Sequence, residues 1–397
     1  MTAYGRHMLA HWRLDPACTY LNHGTVGAPP ARVLAAQQAI RDAIERQPAR
    51  FMLRELSGSL PAPWRAQTRI REAAEVVAAF VGANEAEFAF TPNVTVAINA
   101  VLHSLPLEAG DEILVSDLAY GAVGIAARVA ADAHGARARV LELPFPVRDP
   151  AQVVDAVRAG LGPRTRLAIV DHITAQSALV MPVADIVAVC QRQGVPVLVD
   201  GAHAPGSIPL DVPALGADWY AANLHKWAHA PRSCGFLWAR PDRQAGLHHP
   251  VTSWGHGRGF REEFEWSGTL DPSPALAAPE GIAALRDFGW PDAAAYMHAL
   301  AWQAAGCLTE AWDTTIAAPR EMIGAMATVP LPAAAGASDA DAERLRLALL
   351  VEDGIEVQLH ASRGRLWVRV SAQIYNDLDD VQRLADAVAR RTPRRPG

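Results

Sequence analysis

The run Val195-Pro196-Val197-Leu198-Val199-Asp200 is apolar without alternation until it ends on an acid. A strand of that pattern must be covered on both faces, which confines it to the interior of a helix-covered, mostly parallel sheet. It belongs to a series of strand candidates: Glu87–Phe90, Glu112–Ser116, Ala138–Leu143, Leu167–Asp171, Val195–Asp200, Trp219–Asn223 and Gly235–Ala239. Helical patterns fall between them at Val94–Ser104, Gly121–Ala133, Pro150–Leu161 and Val183–Gln193. The alternation predicts an α/β fold with a mostly parallel seven-stranded sheet, whose ligands sit at the carboxyl ends of the strands. Beyond Asp271-Pro272-Ser273-Pro274 the pattern changes to helical Ala275–Phe288 and Asp292–Asp313. Strands at Glu356–Leu359 and Leu366–Val370 follow, then a last helix, Leu378–Arg391. The chain therefore reads as a large domain over 21–274, a smaller α+β C-terminal domain over 275–397, and an N-terminal segment 1–20 packing with the smaller one.

With 50% hydrophobic residues in 397, the chain can bury a large core. A formal net charge of −6 gives no footprint for nucleic acid. The basic stretch Arg390-Arg391-Thr392-Pro393-Arg394-Arg395 is short and reads as a solvated tail. Cys18, Cys190, Cys234 and Cys307 lie far apart without CxxC spacing, so neither a metal knuckle nor a disulfide framework is expected, and no other metal site is predicted. No run of about 20 apolar residues occurs, and the charged, His-rich start is unlike a signal peptide. The expectation is a soluble, cytoplasmic protein with no membrane partner.

Two groups stand out at strand ends. Asp200 should emerge at the ligand edge, and Lys226 follows the strand Trp219–Asn223 in Asn223-Leu224-His225-Lys226-Trp227. A lysine wedged between two core strands is partly desolvated, which lowers its proton affinity and makes it a competent imine-forming amine. An acid that holds a pyridinium and a lysine that forms a Schiff base are what pyridoxal phosphate chemistry requires. Asp200 can equally be an N-cap, and Lys226 alone a surface lysine; His203 can be structural or hydrogen-bond the cofactor. A phosphate needs a helix N-terminus, and Phe90-Thr91-Pro92-Asn93-Val94-Thr95 ahead of a helical run provides one, although Asn and Thr are also ordinary caps. Tyr120 ends another strand region and can lay its ring on a cofactor or simply pack. Trp266-Ser267-Gly268-Thr269 is a turn with an exposed hydroxyl, and Arg369, in an alternating strand, is either a solvated residue or a grip for a carboxylate.

The segments LNHGTVGAPP (21–30), FTPNVTVAIN (90–99), VDGAHAPG (199–206), NLHKWAHAPRSCGFLW (223–238) and EWSGTLDPSPALAAP (265–279) together resemble the class V aminotransferase family of pyridoxal phosphate enzymes, of fold type I. The isopenicillin N epimerase-like branch is the nearest in pattern. The resemblance implies pyridoxal 5'-phosphate as cofactor, Lys226 as the Schiff-base lysine and Asp200 as partner of the pyridine nitrogen. It implies His203 near the ring oxygen, Tyr120 stacked on the ring, and Asn93, the Val94 backbone, Thr95, Asn223 and His225 at the phosphate. Thr269 would reach the phosphate of a neighbouring subunit, which makes the protein a homodimer. Arg369, in Arg369-Val370-Ser371, would bind the substrate carboxylate, with Asn22 and His23 at the substrate entrance.

Two departures bear on the reaction. Cysteine desulfurase relatives carry a nucleophilic cysteine before the arginine, whereas Glu352–Arg365 contains none. Where relatives place an asparagine after His172 stands Ala175, with Thr174 or Gln176 as substitutes. The expected activity is proton removal at the α-carbon of an amino acid, leading to β-elimination by a C–S lyase on a cysteine conjugate or modified amino acid. Epimerisation and transamination stay open as alternatives, as does a non-catalytic regulatory or structural role. Substrate-reading loops are expected at Asn22–Gly27, Phe51–Leu56 and Thr252–Gly259.

Overall fold

The computed structural model describes residues 3–56 and 67–392; Pro393, Arg394 and Arg395 of the basic tail lie outside the described residues. In chain order the strands are β1 (Thr19–Tyr20), β2 (Phe88–Thr91), β3 (Glu112–Ser116), β4 (Arg137–Leu141), β5 (Thr165–Asp171) and β6 (Val197–Asp200). They continue as β7 (Trp219–Asn223), β8 (Gly235–Ala239), β9 (Met326–Pro330), β10 (Ile355–Glu356), β11 (Gln358–Ser362) and β12 (Arg365–Ser371). Seven of them form one sheet in the order β2-β8-β7-β6-β5-β3-β4. Pairs from β7 through β4 are parallel, and β8 is antiparallel to both β7 and β2. This is the expected mostly parallel sheet, with an antiparallel margin.

Period-two alternation divides each apolar run between two cores. Ala168 and Val170 of β5 and Val197 and Val199 of β6 join Val153, Ile186, Tyr220 and Phe236 on one face. Leu167, Ile169 and Leu198 join Ile98, Val101, Ala127 and Leu237 on the other. Register aligns the carboxyl ends: Asp171 pairs with Asp200, Asp200 with Ala221, and Asn223 with Gly235, which in turn faces Thr91. These residues make up one edge of the sheet.

A second layer holds the antiparallel sheet β11-β12-β9. Leu366, Val368 and Val370 of β12 point into a core with Leu300, Leu308, Leu349 and Leu384. Alternation then turns Trp367 and Arg369 the other way, and Trp367 packs in the core of the seven-stranded layer. Arg369 is buried by this sandwiching. The expected strand Glu356–Leu359 is divided in two, because β10 pairs with β1 while β11 pairs with β12. Strand β9 and the helix Asp339–Asp353 were not foreseen. Arg6 reaches Asp380 of the last helix, and Arg390 and Arg391 ion-pair with Asp353, so those two arginines are part of the folded surface and not of a loose tail. Among the described residues no helix is long and apolar enough to cross a membrane.

Phe236 is fully buried and stacks on Phe88 at 4.9 Å between ring centroids. Phe236→Ala is expected to destabilise the fold by about 3–5 kcal/mol, measured as a lowered urea midpoint. An unchanged midpoint would contradict the position assigned to this ring at the centre of the sheet.

Candidate active site

Lys226 lies in the connection from β7 to β8, and two glycines let other backbone segments close on it. A Cβ on Gly27 (φ +67°) would lie 1.9 Å from the His225 carbonyl oxygen, and one on Gly206 (φ +82°) 2.3 Å from that of Trp227. Both positions therefore require glycine for close approach as well as for conformation. Lys226 Nζ is 3.1 Å from His203 Nε2. Burial, and secondly the nearby charge of Arg369, lower the lysine pKa from 10.5 to about 7, while Asp200 acts in the opposite direction.

Asp200 is buried at the end of β6, where its Oδ1 accepts the Ala202 N–H at 2.9 Å. Its other carboxylate oxygen has no partner among the described residues. Burial raises its pKa against the pull of the Ala202 N–H and Lys226. Asp171, its neighbour in register, is buried too, and its pKa is raised further by burial and by the Asp200 charge. Of the two buried carboxyls, Asp171 is thus the one pushed further toward its protonated form, while the Lys226 charge draws Asp200 the other way. Asp171 escaped the sequence reading although β5 ends on an acid just as β6 does. His172, the next residue, bonds Tyr220 Oη at 2.8 Å, and burial lowers its pKa to about 4.

Arg369 donates to Thr25 Oγ1 (2.7 Å), to Asn22 Oδ1 (3.2 Å) and to the Ala175 carbonyl. Its Nε is buried without a partner, and no carboxylate ion-pairs with it among the described residues. A desolvated guanidinium held only by neutral oxygens is a receptor for an anion. His360, which burial and Arg369 bring to a pKa of about 4, is a further buried neighbour visible only once β11 is placed against β12.

At the phosphate candidate, Asn93 caps helix Val94–His103 by accepting the Val96 N–H at 3.0 Å. The Val94 N–H is held by Asn223 Oδ1 at 2.9 Å, so it is not the free donor that was expected. Thr95 N–H is left without a partner among the described residues. His225 Nδ1 contacts the Cys234 carbonyl at 2.8 Å, and burial holds its pKa near 4.

Five expected site residues stand apart. His23 is fully buried beneath the lysine loop, not at an entrance: it donates from Nε2 to the Lys226 carbonyl (3.0 Å) and accepts from Tyr375 Oη at Nδ1 (2.9 Å). Asn22 is likewise buried, between Arg369 and Glu356 Oε1 (2.7 Å). The Thr174 hydroxyl closes its own turn, contacting Ser177 Oγ at 2.7 Å and accepting the Leu179 N–H at 2.8 Å. Tyr120 is 49% exposed, and Thr269 is exposed on its turn.

Residues 31–384 match the family profile of the class-V aminotransferases. The chain is 32% identical to the "Probable L-cysteine desulfhydrase, chloroplastic" of Arabidopsis thaliana, over 94% of this chain and 83% of that protein. It is 33% identical to the isopenicillin N epimerase of Streptomyces clavuligerus, over 94% and 95%. The solved cysteine desulfurase of Thermococcus onnurineus NA1 superposes with a TM-score of 0.79 at 18% identity, covering 98% of both chains.

The electrostatics predict that Lys226 titrates near pH 7 and is neutral above it. Reductive ¹³C-methylation followed by NMR titration of the cofactor-free protein reports this directly. Arg369→Gln should shift the transition upward by removing a repelling charge. A Lys226 transition in the ordinary lysine range in the unaltered protein would contradict the buried setting.

Proposed function

The chain belongs to the class-V aminotransferase family, and from that premise we propose that it is a pyridoxal 5'-phosphate-dependent C–S lyase acting on a cysteine-type amino acid. The observation that carries this reading is the buried Lys226 amine, with its depressed proton affinity, facing an anion receptor at Arg369.

The residues fit the cofactor. Asp200 presents an unpartnered carboxylate oxygen to a pyridine nitrogen, His203 Nδ1 is buried without a partner, and the positive end of helix Val94–His103 offers the Thr95 N–H to a phosphate. Asn93, Val94, Asn223 and His225 would frame that phosphate, and Tyr120 would cover the ring. Thr174, closed on its own turn, leaves the ring oxygen to His203. When bound, pyridoxal 5'-phosphate supplies an aldehyde for the amino group and a sink for electrons left at the α-carbon.

Arg369, held in place by Asn22 and Thr25, anchors the substrate carboxylate and so orients the Cα–H toward Lys226. Lys226 Nζ takes that proton, the Cβ–S bond breaks, and the same ammonium returns the proton to the departing sulfur. Sulfide, pyruvate and ammonia are the balanced products from cysteine and water. Inversion would require a second acid on the opposite face of the α-carbon. His23 has both ring nitrogens engaged and His203 sits on Lys226 itself, which favours elimination and leaves Tyr120 as the one candidate for that second acid.

A homodimer completes the reading. Leu270, 58% exposed, adjoins the exposed Thr269, a surface suited to a second copy that receives Thr269 at its phosphate. The free thiols Cys18, Cys190, Cys234 and Cys307 suit a reducing compartment such as the cytoplasm.

Added pyridoxal 5'-phosphate should produce a visible absorption band that Lys226→Ala abolishes. With L-cysteine the loaded protein should release sulfide and pyruvate, and Lys226→Ala should lower kcat by about 10²–10⁴-fold. Exchange of the Cα hydrogen in deuterated water with inverted configuration, and no sulfide, would instead establish an epimerase. Arg369→Met should raise KM by roughly 10- to 100-fold, the loss of a charge-assisted bond of about 1.5–3 kcal/mol.

A further inference from the structure

Beside the phosphate end of the crevice, three side chains converge that the proposed reaction does not use. His248 Nδ1 lies 3.0 Å from both carboxylate oxygens of Glu263, and His256 Nδ1 lies 3.6 Å from Glu263 Oε2. The three ligand-capable atoms all fall within 4.8 Å of one another. We propose that His248, His256 and Glu263 bind one divalent transition-metal ion of the zinc type, which fastens the Thr252–Gly259 loop to helix Phe260–Glu265.

Zinc binds imidazole nitrogen and carboxylate oxygen at about 2.0–2.2 Å, which sets neighbouring ligands of a tetrahedron roughly 3.3 Å apart. The observed 3.0 and 3.6 Å bracket that spacing. Two imidazoles and one carboxylate suit zinc-class ions over calcium or magnesium, and the fourth position is left to water. Glu263 is buried while both imidazoles reach solvent, so the anionic ligand is already desolvated and the ion has a way in. Its ion-pair partners are the two imidazoles, whose place as counter-charge to the carboxylate a cation would take. The Gly257 N–H donates to Glu263 Oε1 at 2.9 Å, an outer contact of the kind that orients a metal-binding carboxylate. The fastened segment adjoins the phosphate end of the crevice, because Phe264 and Trp266 line a cleft with Thr91 and Pro92. The cysteine spacing gave no hint of this site, since its ligands come from a loop, a turn and a short helix without a regular interval.

The full-length protein, stripped with a chelator, is titrated with Zn²⁺ by calorimetry and with Co²⁺ by visible absorption. The expected result is one ion per chain, a Co²⁺ spectrum of low coordination number, and slower proteolysis of the 252–259 loop with Zn²⁺. Glu263→Gln, which keeps an acceptor for Gly257, and the double variant His248→Ala/His256→Ala should each weaken binding at least about tenfold and remove the protection. Equal binding by the unaltered protein and the double variant, whose substitutions lie on exposed side chains, would overturn the proposal, as would no stoichiometric binding at all.

Discussion

The crevice is organised by two cationic side chains buried together, Lys226 and Arg369, with Asp200 as the one carboxylate that offsets the lysine. Arginine cannot shed its proton within the working range, so the repulsion and the desolvation fall on the lysine, which becomes a neutral amine near pH 7. Much of the surrounding architecture serves to keep these groups in place. Gly27 and Gly206 admit backbone on either side of the lysine loop. Asn22 and Thr25 satisfy the guanidinium where no carboxylate does. The alternation of β12 forces Arg369 toward the seven-stranded layer because its neighbours Val368 and Val370 are committed to the other core.

Where burial on both faces dictated the sequence, the fold could be read from it. The strands of the large sheet begin and end within about two residues of the expected limits, because a continuous apolar run of that length has few other destinations. The last helix, with capping Asp377 and an apolar stripe, was equally plain. The helix Asp339–Asp353 was not, since Leu347, Leu350 and Val351 are exposed and blur its periodicity. Strand β9 is short, and its signal is spread among alanine, threonine and proline.

The site was legible by element ends and much less so by direction. Asp200, Lys226, Asn223 and Arg369 occupy positions a strand-end argument can locate. His23 and Asn22 sit in a glycine-rich segment that resembles an open loop, yet Gly24 and Gly27 are what allow it to pass beneath Lys226 and become buried. Thr174 and the Val94 N–H were expected to face a ligand and instead face protein, because local turn geometry and the Asn223 side chain claim them first. Asp171 and His360 acquire meaning only from register, through pairing of β5 with β6 and of β11 with β12.

Proton inventory then constrains the proposed reaction. Burial lowers the pKa of His23, His172, His225 and His360 to about 4, and His203 is depressed further by burial and by the charges of Lys226 and Arg369. The imidazoles around the crevice are therefore neutral at physiological pH and do not serve as proton reservoirs. Tyr220, fully buried and bonded to His172, holds its proton more tightly than an ordinary tyrosine. A proton lifted from the α-carbon by Lys226 resides on that amine, and the amine is the one group placed to release it again. A crevice with a single mobile proton on one face is suited to handing it to a departing sulfur, whereas inversion needs a loaded acid on the opposite face. Tyr120, at the open side, is the residue on which that distinction turns.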